Sequence, residues 1–265
     1  MLRPAKIKKR NIVFILAGII MIIFSWYIFN RFSHAKVLGF YPVNTVTDTG
    51  LVIGIIGASS AANQQFDGFL HNGLLNKGFE NKVISSGHPG APTKLIYQNL
   101  YKEANKEHSS KFIIESRPRY CIVIGGINDA VSQLGSKYYA HHITQIIKTL
   151  LHYNIKPVIV SLPNIGIKEA TDKMNFFNRY MNMAAAYFNN NGDLANIKAY
   201  RTRLQKKLAE EKLQDSIIMI DFDIVCAAYN KCPGLFADPI HLSAKGKEIL
   251  CSVIANELAL DIKGR

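Results

Sequence analysis

Five short apolar runs separated by helical patterns constrain the fold of this chain more than any other feature. The runs are rich in Val and Ile, and they occupy residues 51–56, 81–85, 120–124, 157–161 and 216–221. Near-continuous apolar strands that alternate with helices are typical of a parallel sheet buried on both faces. The sequence therefore predicts a three-layer α/β sandwich with a parallel sheet of about five strands.

Helices are predicted between and after these strands by apolar residues at helical spacing. The predicted helices cover residues 62–77, 94–107, 137–153 and 244–260. Ser243 precedes the last of them and is suited to cap its N-terminus. The charged stretch 200–212 is expected to form a solvated helix, and the sequence contains no internal repeat.

An uncharged apolar stretch near the N-terminus predicts a membrane anchor. Residues 12–29 carry no charge, and 18 helical residues reach roughly 27 Å, close to the hydrocarbon thickness of a bilayer. The basic residues before this stretch favour a cytoplasmic N-terminus; they are Arg3, Lys6, Lys8, Lys9 and Arg10. We expect a cytoplasmic tail (1–11), a single transmembrane helix (12–31), a linker (32–49) and an extracytoplasmic domain (50–262).

A cleaved signal peptide is the alternative for the same stretch. Ser33-His34-Ala35 has the small-x-small pattern of a cleavage site, although the apolar stretch is longer than a typical signal-peptide core. Cleavage there would place the mature N-terminus at Lys36 and release the domain from the membrane. The anchor is the favoured interpretation.

Charge and cysteine content limit which partners and cofactors we expect for this chain. The net charge is +13, but no basic stripe interleaved with aromatic residues is present, so we expect no nucleic-acid partner. The four cysteines form no CxxC pair, and we expect neither a metal nor a cofactor. Cys121 lies in an apolar strand and is predicted to be a buried thiol, whereas Cys226 and Cys232 are compatible with either a disulfide or free thiols.

Polar residues and glycines cluster directly after the predicted strands. The clusters occupy residues 57–60, 86–90, 125–129 and 238–241. Because the carboxyl ends of parallel strands share one edge of the sheet, which is where ligands bind in such folds, these four clusters are expected to converge.

The residue types in these clusters suit acyl transfer. Ser59 follows the first strand, and a serine nucleophile needs a base that is itself oriented by a third group. His241 and Asp238 supply such a pair on one loop. Gly90 offers a backbone N–H and Asn128 a side-chain amide, so both are suited to bind an oxyanion together with the N–H of Ser59.

The order of these blocks resembles the SGNH/GDSL hydrolase family. The four blocks are Gly57-Ala58-Ser59, Gly90, Gly126-Ile127-Asn128-Asp129 and Asp238–His241. The resemblance covers about residues 51–260 and implies a flavodoxin-like SGNH hydrolase fold. It also implies that Ser59, Asp238 and His241 form the catalytic triad, with Ser59, Gly90 and Asn128 as the oxyanion hole. One position departs from the family pattern, because Ala58 replaces an aspartate that normally helps to fix the local loops.

Each residue also has a purely structural interpretation. Ser59 alone is compatible with a helix cap, Asn128-Asp129 with an ordinary turn, and His241 with a hydrogen-bonded loop histidine. An α/β-hydrolase is disfavoured because the serine follows the first strand and lacks the Gly-x-Ser-x-Gly elbow. His141-His142 is not expected to bind metal, since adjacent helical residues do not share a face. His88 is compatible with the substrate cleft or with a surface role.

Together these observations predict an extracytoplasmic serine esterase or acyltransferase on the cytoplasmic membrane. The expected substrates are small-molecule or glycan esters, with the O-acetyl or O-acyl groups of envelope carbohydrate favoured. The alternatives are a lysophospholipase or thioesterase, and a non-catalytic glycan-binding or assembly module.

Overall fold

A five-stranded parallel sheet forms the centre of the domain. The computed structural model describes residues 9–43 and 50–264. Within that part of the chain the strands are β1 (Leu51–Gly57), β2 (Asn81–Gly87), β3 (Tyr120–Ile124), β4 (Lys156–Val160) and β5 (Ile218–Ile220). They pair in parallel in the order β2-β1-β3-β4-β5. The predicted fold class is confirmed, and all five predicted strands are present with small shifts at their ends.

The strand register aligns the carboxyl ends that carry the polar clusters. Gly57 at the end of β1 lies level with Gly87 of β2 and with Ile124 of β3. The chain leaves β1 toward β2 on one side and later returns to β3 on the other side. A crevice therefore opens between the ends of β1 and β3, which is the usual ligand position for this strand order.

Helices cover both faces of the sheet. Across the described residues they are α1 (Lys9–Phe32), α2 (Gln64–Leu75), α3 (Thr93–Asn99), α4 (Lys111–Glu115), α5 (Ile127–Val131), α6 (Ser136–His152), α7 (Ile167–Asp172), α8 (Phe176–Asn190), α9 (Ile197–Glu210) and α10 (Ala244–Lys263). α2 packs against α10, whereas α6 packs against α3 and α9. The side chain of Ser243 caps α10 as predicted, accepting a hydrogen bond from the N–H of Gly246.

Two predicted helices differ from the structure. The helix expected over 94–107 ends at Asn99, because the carbonyl of Asn99 accepts the N–H of Ser110 and the chain turns back. The charged helix α9 is amphipathic, and only one of its faces is solvated. Tyr200, Leu204 and Leu208 are buried on its inner face against α6.

The segment 35–43, within the predicted linker, packs along α6. The N–H of Ala35 donates to Nε2 of His142 at 3.0 Å, and the N–H of Tyr41 donates to the hydroxyl of Tyr153 at 2.8 Å. Phe40 stacks on His152 with ring centroids 3.6 Å apart. Residues 44–49 of the predicted linker lie outside the described residues. The segment 35–43 belongs to the same compact unit as the sheet.

Helix α1 forms a separate unit of the chain. Residues Phe14–Phe32 form a helix long and apolar enough to cross a membrane, and the structure buries none of that window. A signal sequence near the N-terminus can meet the same criteria of length and hydropathy, so the predicted anchor remains a prediction. Residues 1–8 of the predicted cytoplasmic tail lie outside the described residues.

The cysteines divide into one disulfide and two buried thiols. Cys226 and Cys232 are bonded to each other in the loop after β5, with Cα atoms 6.1 Å apart. Cys121 is fully buried in β3 as predicted, and Cys251 is buried in α10.

Candidate active site

Asp238 and His241 form a hydrogen-bonded pair on the loop before α10. Oδ2 of Asp238 lies 2.7 Å from Nδ1 of His241. The other carboxylate oxygen accepts the N–H groups of Ile240 and His241, each at 2.9 Å. Partial burial alone would raise the pKa of Asp238, but the hydrogen bonds from Ile240 and His241 outweigh it and lower that pKa. The carboxylate is therefore charged at neutral pH and holds the ring in place.

This pairing fixes which nitrogen of His241 can act as a base. An ionised carboxylate only accepts hydrogen bonds, so Nδ1 of His241 carries the proton between them. In a neutral ring the lone pair then lies on Nε2, the atom that accepts a proton from serine in a triad.

Ser59 lies in the turn that follows β1. The N–H of Ala58 donates to the carbonyl of Ile124 at 3.2 Å, and the carbonyl of Ala58 accepts the N–H of Ala62. The first bond ties the turn to the end of β3, the second closes the turn itself, and the side chain of Ser59 is half-buried. No hydrogen bond joins Ser59 to His241 among the residues that the structure describes. Such bonds are often long in a site without substrate and shorten when substrate binds.

Asn128 lies in the first turn of α5, directly after a sharp backbone reversal. Gly126 has φ = 106°, and a Cβ atom there would lie 2.3 Å from the ring of Tyr139. A side chain at this position is therefore excluded both by conformation and by space. Nδ2 of Asn128 donates to the carbonyl of Ala91 at 3.0 Å. Since an amide nitrogen carries two hydrogens, one donor is left for a ligand.

Gly90 lies in a tight turn next to the acceptor of Asn128. It adopts φ = 76°, and the N–H of Ala91 closes the turn on the carbonyl of His88 at 3.0 Å. Gly90 is exposed. The hydrogen bond from Asn128 to Ala91 brings the second and third predicted blocks together.

The buried carboxylate of Asp129, to which the sequence assigned no role of its own, strengthens this connection. Asp129 is completely buried and accepts a 2.9 Å bond from the N–H of Thr93, and it also accepts the hydroxyl of Thr93. Burial raises the pKa of Asp129 to about 6, although the bonds from Thr93 oppose the shift. The pair fastens the start of α3 to α5. In the sequence, the position of Asp129 directly after Asn128 was the one indication of this contact.

Neighbours of the predicted catalytic residues line one small cavity. Ser60, Ile127 and Ile240 all contribute to its wall, and each is adjacent in sequence to Ser59, Asn128 or His241. The cavity has a volume of about 20 Å³, and most of its lining is apolar. The loops that carry Ser59, Asn128 and His241 therefore meet around a common space.

A larger cavity, which has many polar residues in its lining and shares Ser161 with the small one, was not predicted. It has a volume of about 530 Å³. Ser161 lines both cavities, and the larger one is also lined by Asn164, Lys198, Arg201, Gln205, Asp221 and Asp223 among others. Arg201 is held by both oxygens of Asp223, at 2.6 and 2.9 Å.

Ala58, His88 and His142 make packing contacts or hydrogen bonds with neighbouring residues. Ala58 is buried, so its methyl group fills the place where the family pattern has a carboxylate. His88 stacks on His108 at 3.9 Å and pairs with Asn99, and burial lowers the pKa of His88. His142 holds Ala35, as described above. Within the described ranges, no group of three or more His, Cys, Asp or Glu residues is placed to hold a metal ion.

Comparison with known proteins identifies the fold. The sequence matches no protein-family model and no curated protein. Among solved structures, the chain is similar to the lipase/acylhydrolase from Enterococcus faecalis, with a TM-score of 0.58 and 18% identity over 78% of this chain and 95% of that one. It is also similar to the acetyl xylan esterase AlAXEase, with a TM-score of 0.54 and 16% identity over 80% and 99% of the two chains. A third similar structure is the psychrotrophic esterase EstA from Pseudoalteromonas sp., with a TM-score of 0.55 and 11% identity over 80% and 99%.

These likenesses establish the fold of the SGNH/GDSL hydrolases for this chain. Solved structures that share it are described as lipases, acylhydrolases and esterases. The fold implied by the motif resemblance is therefore confirmed.

Proposed function

We propose that the protein is a serine esterase or acyltransferase with Ser59, Asp238 and His241 as its triad. The observation that carries this proposal is the hydrogen-bonded Asp238–His241 pair, whose loop meets the Ser59 and Asn128 loops around one cavity. A charged Asp238, a base at Nε2 and a serine at the crevice between β1 and β3 are the parts that acyl transfer needs.

In this mechanism Oγ of Ser59 attacks the ester carbonyl carbon while its proton passes to Nε2 of His241. The negative charge that forms on the carbonyl oxygen is bound by the N–H groups of Ser59 and Gly90 and by the amide of Asn128. The C–O bond to the alcohol then breaks, and His241 returns the proton to that alcohol. Water, or an acceptor hydroxyl, next attacks the acyl-serine with His241 again as base, and Ser59 is regenerated.

The two cavities support a short acyl group on a polar acceptor. The small cavity beside Ser60 and Ile240 is mainly apolar, and its volume of about 20 Å³ has room for little more than one water-sized group such as a methyl, so a long chain does not fit. The 530 Å³ cavity that shares Ser161 with it offers amide, carboxylate and hydroxyl groups, which hydrogen-bond to sugars. We therefore favour O-acetyl esters of envelope carbohydrate as substrates.

We place the catalytic domain outside the cytoplasmic membrane, with α1 as its anchor. Basic residues before the apolar span support this orientation. The Cys226–Cys232 disulfide agrees with it, since disulfides persist in oxidising compartments.

Turnover of p-nitrophenyl acetate by the full chain in detergent tests the proposal. Ser59→Ala should lower kcat by roughly 10³-fold or more and prevent labelling by a fluorophosphonate. Ser60→Ala is the matched control and should retain labelling, because its hydroxyl is not the nucleophile. Labelling that survives Ser59→Ala would refute the assignment.

The same assay separates the alternatives. A p-nitrophenyl series of increasing acyl length should show highest kcat/KM for acetyl, whereas a lysophospholipase or thioesterase would prefer long chains. A folded protein without turnover on any ester would favour a glycan-binding module, an alternative motivated by Ala58 in the first block.

A further inference from the structure

Helix α8 has the opposite of the usual polarity for a helix on a protein surface. Its inner face carries the buried residues Asn182, Ala185, Ala186 and Asn190. Its outer face carries six large apolar side chains that are 52–86% exposed: Phe176, Phe177, Tyr180, Met183, Tyr187 and Phe188. A contiguous apolar face of this kind marks an interaction surface. We call these six residues the aromatic face.

The inner face fixes α8 at the active-site edge of the sheet. Nδ2 of Asn182 donates to the carbonyl of Val131 at 2.8 Å, and Asn190 bonds to the side chain of Gln133 at 2.6 Å. Val131 ends α5, the short helix that carries Asn128. The helix that carries the aromatic face is therefore fastened to the segment that follows the proposed oxyanion residue.

The chain from the apolar helix joins the domain at the same edge. Helix α6 starts at this edge, and the N–H of Ala35 bonds to His142, about two turns into α6. Only Ser33 and His34 separate Phe32, the last residue of α1, from Ala35. Three peptide steps span at most roughly 11 Å. If Phe14–Phe32 crosses a bilayer, this covalent link keeps Ala35 within that distance of the end of the span.

The charge of the domain favours the same surface. The net charge of the chain is +13, and six basic residues but no acidic residue precede Ala35, which leaves +7 on the rest. A basic domain is attracted to anionic phospholipid headgroups. Phenylalanine and tyrosine side chains then contribute apolar insertion at the boundary between headgroups and acyl chains.

We propose that the aromatic face of α8 inserts into the surface of the bilayer that holds the N-terminal helix. The active site would then lie at the level of the headgroups, and its substrate would be an ester presented at the membrane surface, such as a lipid-linked glycan. This substrate class rests on the proposed function, whereas the insertion itself requires only the anchored topology.

Fluorescence of a single tryptophan tests the insertion in the full chain. Trp26 is the only tryptophan, so the reporter variants are Phe188→Trp and, separately, Leu260→Trp, each in a Trp26→Phe background. Leu260 is 66% exposed on α10. Its neighbour Asp261 bonds Tyr120 and Lys156 at the starts of β3 and β4, at the opposite edge of the sheet. Both variants are placed, one copy per disc, in nanodiscs of phosphatidylethanolamine and phosphatidylglycerol with brominated acyl chains.

Bromolipid should quench the emission of F188W about twofold more than that of L260W, with a shift to shorter wavelength. Equal quenching of the two reporters would overturn the proposal. A second result would also overturn it: F188W is protected from the aqueous quencher iodide only when several copies share a disc, and bromolipid does not quench it. That result would mean that a second copy of the protein, and not the bilayer, covers the aromatic face. Thermal melting checks that each variant is folded, and Tyr187→Trp provides a second reporter on the same face.

The measurement does not depend on catalysis. Adding Ser59→Ala should leave the quenching unchanged even though it removes turnover. A failure of the proposed function would thus appear in the ester assay alone, and a failure of the insertion in the fluorescence alone.

Discussion

Nδ2 of Asn128 donates a 3.0 Å hydrogen bond to the carbonyl of Ala91. This bond joins the loop after β3 to the turn that contains Gly90. It also orients the amide, so that one of its hydrogens is occupied and the other is available to a ligand. Asn128 thus has a structural bond and a proposed catalytic donor on the same nitrogen, and the two roles can be separated by experiment.

We expect Asn128→Ala to lower kcat by ~10²–10³-fold while KM hardly changes. The amide donates to charge that appears only in the transition state, so the ground-state complex loses little. Loss of the bond to Ala91 should also lower the melting temperature slightly. Steady-state kinetics and thermal melting on one preparation measure both effects. A lowered melting temperature with unchanged kcat would leave Asn128 with only the structural role.

Asp238→Asn should lower kcat by roughly 10³–10⁴-fold with little loss of stability. The asparagine oxygen can still accept the N–H groups of Ile240 and His241, so the loop keeps its shape. Its NH₂ group then faces Nδ1 of His241 and forces the proton of the ring onto Nε2, where no base remains. Asp238→Ala is the comparison, because it removes the loop bonds as well and should also lower the melting temperature. Full activity of Asp238→Asn would contradict the triad.

The buried Asp129 predicts a pH-dependent effect on stability. Burial raises its pKa from 3.8 to about 6, so the folded state binds the proton more tightly than the unfolded state. The stability that this group contributes is complete below pH 3.8 and is lost as the pH rises through 6. The shift corresponds to about 3 kcal/mol of unfolding free energy.

Asparagine at position 129 does not titrate, so the cost of Asp129→Asn should be larger at pH 4 than at pH 7 by about 2 kcal/mol, because the full contribution is reached only below pH 3.8. Guanidinium denaturation of both chains in detergent at each pH measures this difference, and contributions from other groups cancel. A cost that is independent of pH would show that the carboxyl group is ionised throughout.

Topology gives a prediction that needs no assay of activity. An alkaline phosphatase reporter fused after Arg265 should be active, because the positive N-terminal flank keeps the other end of the helix outside. The unfused protein should fractionate with membranes at its full 29.7 kDa. A mature N-terminus at Lys36 would instead establish the signal-peptide alternative.

Helix α8 shows where reasoning from sequence reaches its limit. Its apolar residues recur at helical spacing, and such a pattern ordinarily predicts a face buried in the core. The structure buries the asparagines and alanines of the opposite face, because Asn182 bonds the last residue of α5 and Asn190 bonds Gln133 just after it. Periodicity identifies a face, but it carries no information about which neighbour satisfies the polar groups opposite.

The packing of segment 35–43 and the role of Asp129 could be seen only in the tertiary structure, for a related reason. Residues 35–43 have no helical or strand pattern, and their packing is seen only in contacts with distant residues such as His142 and Tyr153. The partner of Asp129 is Thr93, 36 positions away. Contacts between residues so far apart leave no local signal in a single sequence.

The sequence by itself determined the parallel α/β fold, the positions of its strands and the chemistry of Ser59, Gly90, Asn128, Asp238 and His241 as candidates. It could do so because strand burial and strand-end polarity are local properties of the chain. The sequence also predicted the pairing of Asp238 with His241, which lie three residues apart. Tertiary structure alone decided the bond from Asn128 to Ala91, the two cavities that share Ser161 and the outward aromatic face. Each of these depends on distances between loops that are far apart in sequence, which are set by the strand order and by packing across the sheet.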